Sequence, residues 1–477
     1  MFLPLTENFT RIIKENAPMT LVEIIAEEIR QFRGSAEYAR MEEGIRYYNA
    51  VPDVLTKTND EKTYSNVKMV HPILRKLVRQ KVNFLLAKPF TVVTDSEEYT
   101  AALDDFFDIK RRQAIKRCAT DAVMCGRGFI APYFDADGEL LLRALSPTEV
   151  IPLFEDAAEE KLTGYIRVYP QTLYEGRNRL EVTKVELWTA DGVLRFSDSG
   201  KGTTLRCEDD VPSPHFLVNG KAYNFREVPL VCVKYNDEAL PLIAFVKSII
   251  DEIDWQNSLT ADVLRDVANF IYVLKNYGGQ DLAEFMSDIK KHRVIKTDGD
   301  GGVDKLSADI NIDAVMKFLD NTRRDLYDLA FCVDTKDPDL GNASGTAIGF
   351  RYMDLTSDCE EYGTSVKQAI ISLKPFIDCG LSLCGKGQFD GVDFDIIFNT
   401  DMPVNEADVI NNIKASEGIL SKRTLIENHP WVINAENELA RLEEDEKEAM
   451  EKFESGIMAS VGDGGAQRAQ NGVNDDE

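Results

Sequence analysis

The sequence predicts an α+β protein of more than one domain. Long apolar stripes at helical spacing run through residues 241–270 and 312–333. Short β-rich runs separated by turn residues fill 129–233. At 477 residues with 44% hydrophobic content, the chain is too long for one simple core and apolar enough for a globular assembly. Strands and helices kept in separate blocks of the chain are the mark of an α+β arrangement.

Taken in order, the first helix opens on Thr20-Leu-Val-Glu23. In that capping box Thr bonds the amide three residues on and Glu reaches back. Leu21, Ile24, Ile25 and Ile29 follow at helical spacing, and a second helix covers 36–49. Residues 50–70 are polar and turn-rich and read as a loop. An amphipathic helix follows over 72–87, with Ile73, Leu74, Leu77, Val78, Val82, Leu85 and Leu86 as its stripe. Arg75, Lys76, Arg79 and Lys81 are assigned to its solvated side in preference to a DNA contact, and Pro89 ends it.

Another helix at 110–125 carries Cys118 and Cys125 at core spacing. Then 129–134 and 139–144 form a hairpin about Asp135-Ala-Asp-Gly138, with further strands at 162–169, 180–188, 193–196 and 230–233. Ala190-Asp191-Gly192 is a second hairpin turn.

From Pro241 a helix of about 30 residues, about 45 Å at 1.5 Å per residue, carries Asp251, Glu252, Asp254, Asp262 and Asp266 on its surface. Residues 271–274 and 293–296 read as strands and 281–291 as a short helix. A second long helix, 312–333, spans about 33 Å. The helix after Gly345 contains Gly363 and should kink or break at Pro375. A strand at 389–398 and helices at 405–417, 421–428 and 434–453 complete the ordered part. Residues 456–477 have few apolar groups to repay the entropy of ordering and read as disordered.

The charge excludes one class of function. With 82 acidic and 55 basic residues the net charge is −27, whereas a protein that grips DNA by neutralising phosphates is basic. If this chain handles DNA, it does so without holding it. The eight cysteines are scattered, with no Cys-x-x-Cys and no nearby histidine, so neither a zinc site nor a disulfide framework is expected. They read as reduced, mostly buried thiols of a protein made in a cytoplasm. The first residues lack the basic and long apolar runs of a signal peptide, and no apolar stretch approaches the roughly 18 residues of a membrane span.

Chemical motifs fail on inspection. Asp298-Gly-Asp-Gly-Gly-Val-Asp304 has Gly302 and Val303 where a calcium loop needs Asp or Asn and then Gly, and Asp309 where it needs Glu; a hairpin turn fits better. Gly341-Asn-Ala-Ser-Gly345-Thr346 has no lysine beside its second glycine, so it lacks the charge of a phosphate loop. No Gly-x-Ser-x-Gly elbow occurs. His71, just before Pro72 at a helix start, reads as structural. No catalytic residue, cofactor or metal is expected. Lys290-Lys291-His292-Arg293 is the densest basic cluster; it fits equally a solvated helix end, where cations complement the dipole, and a docking surface for an acidic partner.

The most informative stretch is 334–355. A loop of Gly, Asn, Asp and Pro stands between two long helical runs, a poor catalytic cradle and a good finger to project into a space. Its Ser344-Gly-x-Ala347, followed by an aromatic and Asp354-Leu355, resembles the portal proteins of tailed bacteriophages, in particular the siphophage-type family of Gram-positive hosts. Further segments carry the resemblance in order. Leu74 to Phe90 is similar to the family's early helix ending in Lys-Pro, with Ala87 where glycine is common. Tyr133 to Gly138 and Leu145 to Pro152 are similar to its wing strands, and Val228 to Val231 and Ile249 to Ile253 to its entry into the stem. Gly418 to Leu425 and the acidic helix after Asn434 are similar to its crown.

The resemblance implies a portal fold. The wing would be 1–238 plus the helix and strand of 347–400, with stem helices at 239–270 and 311–333 and a small α/β clip at 271–310. A tunnel loop at 334–346, a helical crown at 401–455 and a disordered tail at 456–477 complete it. It also implies a ring, a dodecamer, at one capsid vertex of the virion, assembled in the host cytoplasm. Double-stranded DNA would enter and leave along the axis. Terminase and then head-completion proteins would dock at the clip, and scaffold and major capsid protein at the rim, with no membrane involved. Lys336, Asp337, Pro338, Asp339, Leu340, Gly341, Asn342, Ala343, Ser344 and Gly345 become the loop facing DNA, and Lys290 to Arg293 the docking cluster. The acidity becomes that of a wall which does not trap phosphates. Two rivals remain, a nucleotide-using motor subunit and a coiled-coil structural protein. The missing phosphate loop speaks against the first, and the β-rich 129–233 against the second.

Overall fold

In the computed structural model the described residues are 20–58, 65–155, 159, 161–198, 205–209, 211–218, 220–266, 271–275, 281, 302–306, 311–336, 345–400 and 406–432, with 435, 438–442, 444 and 447. The Thr20 capping box forms as read. Thr20 Oγ1 accepts the Glu23 amide at 3.3 Å, and Glu23 accepts the Thr20 amide at 2.7 Å. It opens α1 (Leu21–Arg33), which is followed by α2 (Ala36–Tyr48) and α3 (Ile73–Leu86). Next come β1 (Thr91–Thr94), α4 (Glu97–Phe106) and α5 (Ile109–Cys125). Gly126 ends α5 at φ 88, a conformation that favours glycine.

The β-rich block forms two antiparallel sheets. The hairpin β2 (Arg127–Phe134) and β3 (Leu140–Leu145) is joined by β11 (Val231–Lys234) in the order β11-β2-β3. The second sheet orders β4 (Val150–Phe154), β5 (Leu162–Glu175), β6 (Asn178–Thr189), β7 (Gly192–Asp198) and β8 (Arg206–Cys207) side by side. Between them in sequence, β9 (Phe216–Val218) and β10 (Lys221–Tyr223) pair as a small hairpin. Alternation along β5 gives the larger sheet two cores. Ile166 and Val168 join Ile151, Val185, Leu187 and Phe196 under Ile24 and Ile25 of α1. Tyr165, one residue over, joins Phe129, Leu145, Val150, Val228 and Leu230 on the opposite face.

The helical part begins with α6 (Ile243–Asp266), 24 residues and about 36 Å long. It packs on α7 (Ile312–Leu329). Between them in sequence β12 (Ile271–Lys275) pairs with β13 (Gly302–Leu306). Then come α8 (Gly345–Ser372), α9 (Lys374–Leu383) and β14 (Phe394–Ile397), which pairs with β1. The helix breaks at Leu373, one residue before Lys374-Pro375, as the proline requires. Gly363 of α8 lies against α3: a Cβ there would stand 3.2 Å from Leu85 Cδ2. The chain divides into two compact units, 1–334 with 353–401, and 335–352 with 402–477. The second holds α10 (Glu406–Ala415), α11 (Lys422–Glu427) and the first turns of α8.

Several expectations are corrected. Lys81, assigned to a solvated face, is fully buried, because an ion pair meets it inside. Asp254, assigned to the surface of its helix, is also fully buried, where it meets the amide and ring of His71 from a neighbouring segment. The second long helix ends at Leu329, not Val333, since the backbone turns left-handed at Phe331. Gly302 to Asp304, expected in a turn, are strand residues paired with β12. Of the eight thiols, all unpaired, only Cys118, Cys125 and Cys359 are buried; Cys207 and Cys384 are exposed and the other three lie between. The helix at 281–291, the strand at 293–296 and the tail at 456–477 fall outside the described residues.

Candidate functional site

The site worth building is the root of the 334–346 loop, where α7 ends and α8 begins. The helix α7 closes in a Schellman turn. The Phe331 amide donates to Asp328 O at 3.1 Å and the Cys332 amide to Tyr327 O at 2.9 Å. That turn needs a residue with positive φ, usually glycine; here it is Phe331 at φ 49. A bulky side chain in this region costs about 1–2 kcal/mol and persists only where neighbours hold it.

The neighbours are on α3. Lys76 Nζ donates to Tyr327 Oη at 2.8 Å, Gln80 Nε2 to Val333 O at 3.1 Å, and Lys81 Nζ to Phe331 O at 3.4 Å. Lys81 Nζ also meets Asp358 Oδ2, on α8, at 2.6 Å. Tyr235 Oη donates to the other oxygen of that carboxylate at 3.2 Å. On the loop side, Arg323 forks onto Asp334, Nε to Oδ2 at 2.6 Å and Nη2 to Oδ1 at 2.7 Å. Such bidentate pairs fix geometry as well as adding energy. Burial pushes the thiols of this seam upward, Cys332 to about 11 and Cys359 to about 12, although Lys81 pulls both down, and it holds the Tyr235 phenol well above its usual range. These thiols stay protonated and act as small apolar fillers.

The long helix α6 is fastened by an extended strap. The amides of Val67, Met69 and His71 donate to Asp262 Oδ1 at 2.6 Å, Ser258 Oγ at 2.9 Å and Asp254 Oδ1 at 3.0 Å. Two extended residues advance about 6.6 Å and four helical residues about 6 Å, so alternate amides meet every fourth helical side chain. Lys57 pairs with Asp262, and Lys247 reaches Asp53 at 2.6 Å and Asp251 at 2.8 Å. The acids of α6 on this side are therefore structural. His71 Nδ1 lies 2.7 Å from Asp254 Oδ1, in keeping with its structural reading.

Away from the strap the long helices keep bare apolar groups. Phe245, Trp255, Leu259 and Leu264 on α6, Ile312, Met316 and Phe318 on α7, and Phe350 and Met353 on α8 are all exposed. Among the described residues no group of three or more His, Cys, Asp or Glu could hold a metal, and no helix is long and apolar enough to cross a membrane.

Of the residues singled out in the sequence, Lys336 sits in an exposed turn just past Asp334, and Gly345 begins α8. Residues 337–344 and the cluster 290–293 lie outside the described residues. Sequence reading missed Lys81, Arg323, Phe331 and Asp358. The only available signal was a lysine next to Val82 within an apolar stripe.

An α+β chain whose long helices flank a polar loop and leave apolar faces uncovered is built like a subunit of a larger assembly. The profile of the phage portal protein family, SPP1 Gp6-like, matches residues 33–452, and the chain belongs to that family. It is 28% identical over 424 residues to the portal protein of Bacillus phage SPP1, covering 84% of this chain and 82% of that one. It is 25% identical over 433 residues to the portal protein of Clostridium phage phiCD119, covering 84% and 92%. Among solved structures, a chain of the neck of a native GTA particle, computed with C12 symmetry, aligns over 74% of this chain and 88% of its own at 12% identity and a TM-score of 0.39.

Proposed function

We propose that this chain closes into a ring at one capsid vertex of a phage virion and that double-stranded DNA is packaged and ejected through its axis. The observation that carries the reading is the uncovered apolar surface of α6, α7 and α8 in a member of the portal family. A head-to-tail cyclic interface covers such faces and closes on itself. In this reading the wing comprises 1–238 with 347–400, the stem 239–270 and 311–333, the clip 271–310, the tunnel loop 334–346 and the crown 401–455. A ring of twelve subunits follows from the family resemblance. The net charge of −27 supports a wall that lets phosphates slide. Lys336 to Gly345 are the residues nearest DNA, and Lys290, Lys291, His292 and Arg293 the docking cluster for terminase and then a head-completion protein. Scaffold and major capsid protein meet the rim, assembly takes place in the host cytoplasm, and no chemistry is catalysed.

Deleting Lys336 to Asn342 tests the loop. Loop-closure entropy changes slowly with length, so rings and empty heads should form at normal yield while DNA content per particle falls. Full heads at wild-type yield would remove the loop's role; rings that fail to form would make it structural.

A further inference from the structure

The chain leaves its first compact unit after Asp334 and re-enters it at Met353. Residues 335–346 of the loop lie between those two crossings. One side chain binds just outside both. Lys81 Nζ donates to Phe331 O at 3.4 Å, three residues before the first crossing, and meets Asp358 Oδ2 at 2.6 Å, five residues after the second. Its side chain is 0% exposed, while Asp358 is 18% exposed.

A lysine in such a place needs explaining. Taking an ammonium out of water is costly, and an apolar residue of similar volume often serves stability as well or better. What an ammonium adds is direction: three donors on one centre can bind separate acceptors at once. Here the acceptors belong to the two arms of the loop, and each is itself set by local structure. The Phe331 carbonyl is presented by the left-handed residue of the Schellman turn, a conformation phenylalanine does not favour. The Asp358 carboxylate is presented by Tyr235 Oη at 3.2 Å. Gln80, one position before Lys81, takes Val333 O, and Arg323 takes Asp334, so the first arm is pinned at three successive points.

We propose that Lys81 is a positioning residue for the loop: its buried ammonium ties the end of α7 to α8 and so fixes the spacing of the two arms from which the loop is projected. The proposal rests on the channel reading for its use, but not for its existence. A loop that meets moving DNA is loaded through its arms, and a cross-tie at its base holds both ends in place while the loop between them follows the duplex.

Amide hydrogen exchange on the full-length ring tests the tie directly. Lys81→Met keeps the volume and removes the donor; Asp358→Asn is a milder second variant that keeps an acceptor oxygen in place. Lys57→Met is the control, since it breaks another shielded lysine–carboxylate pair away from the loop. The expected result is exchange about tenfold faster at 326–336 and 353–360 in both tie variants, with 162–198 unchanged and the control silent at the loop root. Exchange that stays at the wild-type rate at the root in Lys81→Met and Asp358→Asn overturns the proposal. So does faster exchange spread equally over 162–198, which would make Lys81 a general stabiliser. DNA per particle, measured on the same variants, separates the two readings. A loosened root with full heads leaves the tie standing and removes the channel role of the loop.

Discussion

The sheet block and the long helices solve the same problem in opposite ways. The body of the sheet from β4 to β7 finds cover within the chain: α1 on one face and the Phe129–Val228 cluster on the other leave Ile166, Phe196 and Tyr165 with almost no exposure, while Leu173, Tyr174 and Leu180 at the tip of the β5–β6 hairpin are exposed. The helices α6 and α7 pack on each other, on the 65–71 strap and on α2 and α3, and still keep bare groups. Leu264 is 58% exposed and Met316 53%. A fold that buries the body of one block and leaves large apolar groups bare along the length of another has a use for the bare ones, since apolar patches on a protein surface mark interaction sites. In the ring reading, the body of the sheet is finished by the chain and the long helices by neighbouring subunits.

The sharpest way to break this contrast is to charge the bare faces. Leu264→Asp with Met316→Asp should abolish the ring and yield protomers whose sheet block still unfolds at the wild-type temperature. Sedimentation and thermal melting read the two effects, and an unchanged ring would end the contrast. The converse is a cavity in the finished block. Phe196→Ala should lower stability by about 3–5 kcal/mol in denaturant titration, with the ring mass unchanged wherever the protein stays folded.

One buried and one half-buried titratable group sharpen the comparison with opposite signs. Burial raises the Asp121 carboxyl of α5 to about 6, against the pull of Arg117. Its folded pKa lies above the ordinary 3.8, so stability is complete below about 4 and is lost as pH rises to 6. Asp121→Asn should then gain about 2–3 kcal/mol at pH 7 and almost nothing at pH 4. At the edge of the sheet block, burial lowers His215, although Thr189 O and Asp191 favour its charged form. Its Nδ1 accepts the Phe225 amide at 3.0 Å and its Nε2 donates to Thr189 O at 2.8 Å, so a second proton has no place. Stability there is complete above the ordinary 6.5 and is lost as pH falls below it. His215→Gln should flatten the acid limb below pH 6.5 in chemical denaturation; an unaltered limb would exclude the group. The smallest effect is at the loop root. Phe331→Gly relieves a left-handed phenylalanine and should raise stability by about 1 kcal/mol in denaturant titration; a loss of stability would show that the half-exposed ring contributes more than the strain costs.

What could be read from the sequence follows the range of the interactions. The Thr20 capping box, the 129–144 hairpin and the break at Pro375 depend on neighbours a few residues away, and all were legible. So was the family, through segments in order. The burial of Lys81 was not, because its partner Asp358 lies 277 positions on and periodicity counts every lysine as polar. Asp254 escaped for the same reason, being claimed by an amide 183 positions back. The early end of α7 was hidden because a left-handed turn is expected at glycine, and Phe331 gives no such signal. The strand pair β1–β14 joins segments far apart, and β1 is only four residues long. Loop and docking residues were assigned only through the family resemblance, since nothing in their spacing demands chemistry.

Native mass spectrometry of the purified full-length chain, taken over a wide concentration range, tests the central claim most directly. A chain whose long helices are finished by neighbours should give one closed ring of defined subunit number, with no open series of intermediates. Monomer alone at every concentration would contradict the account.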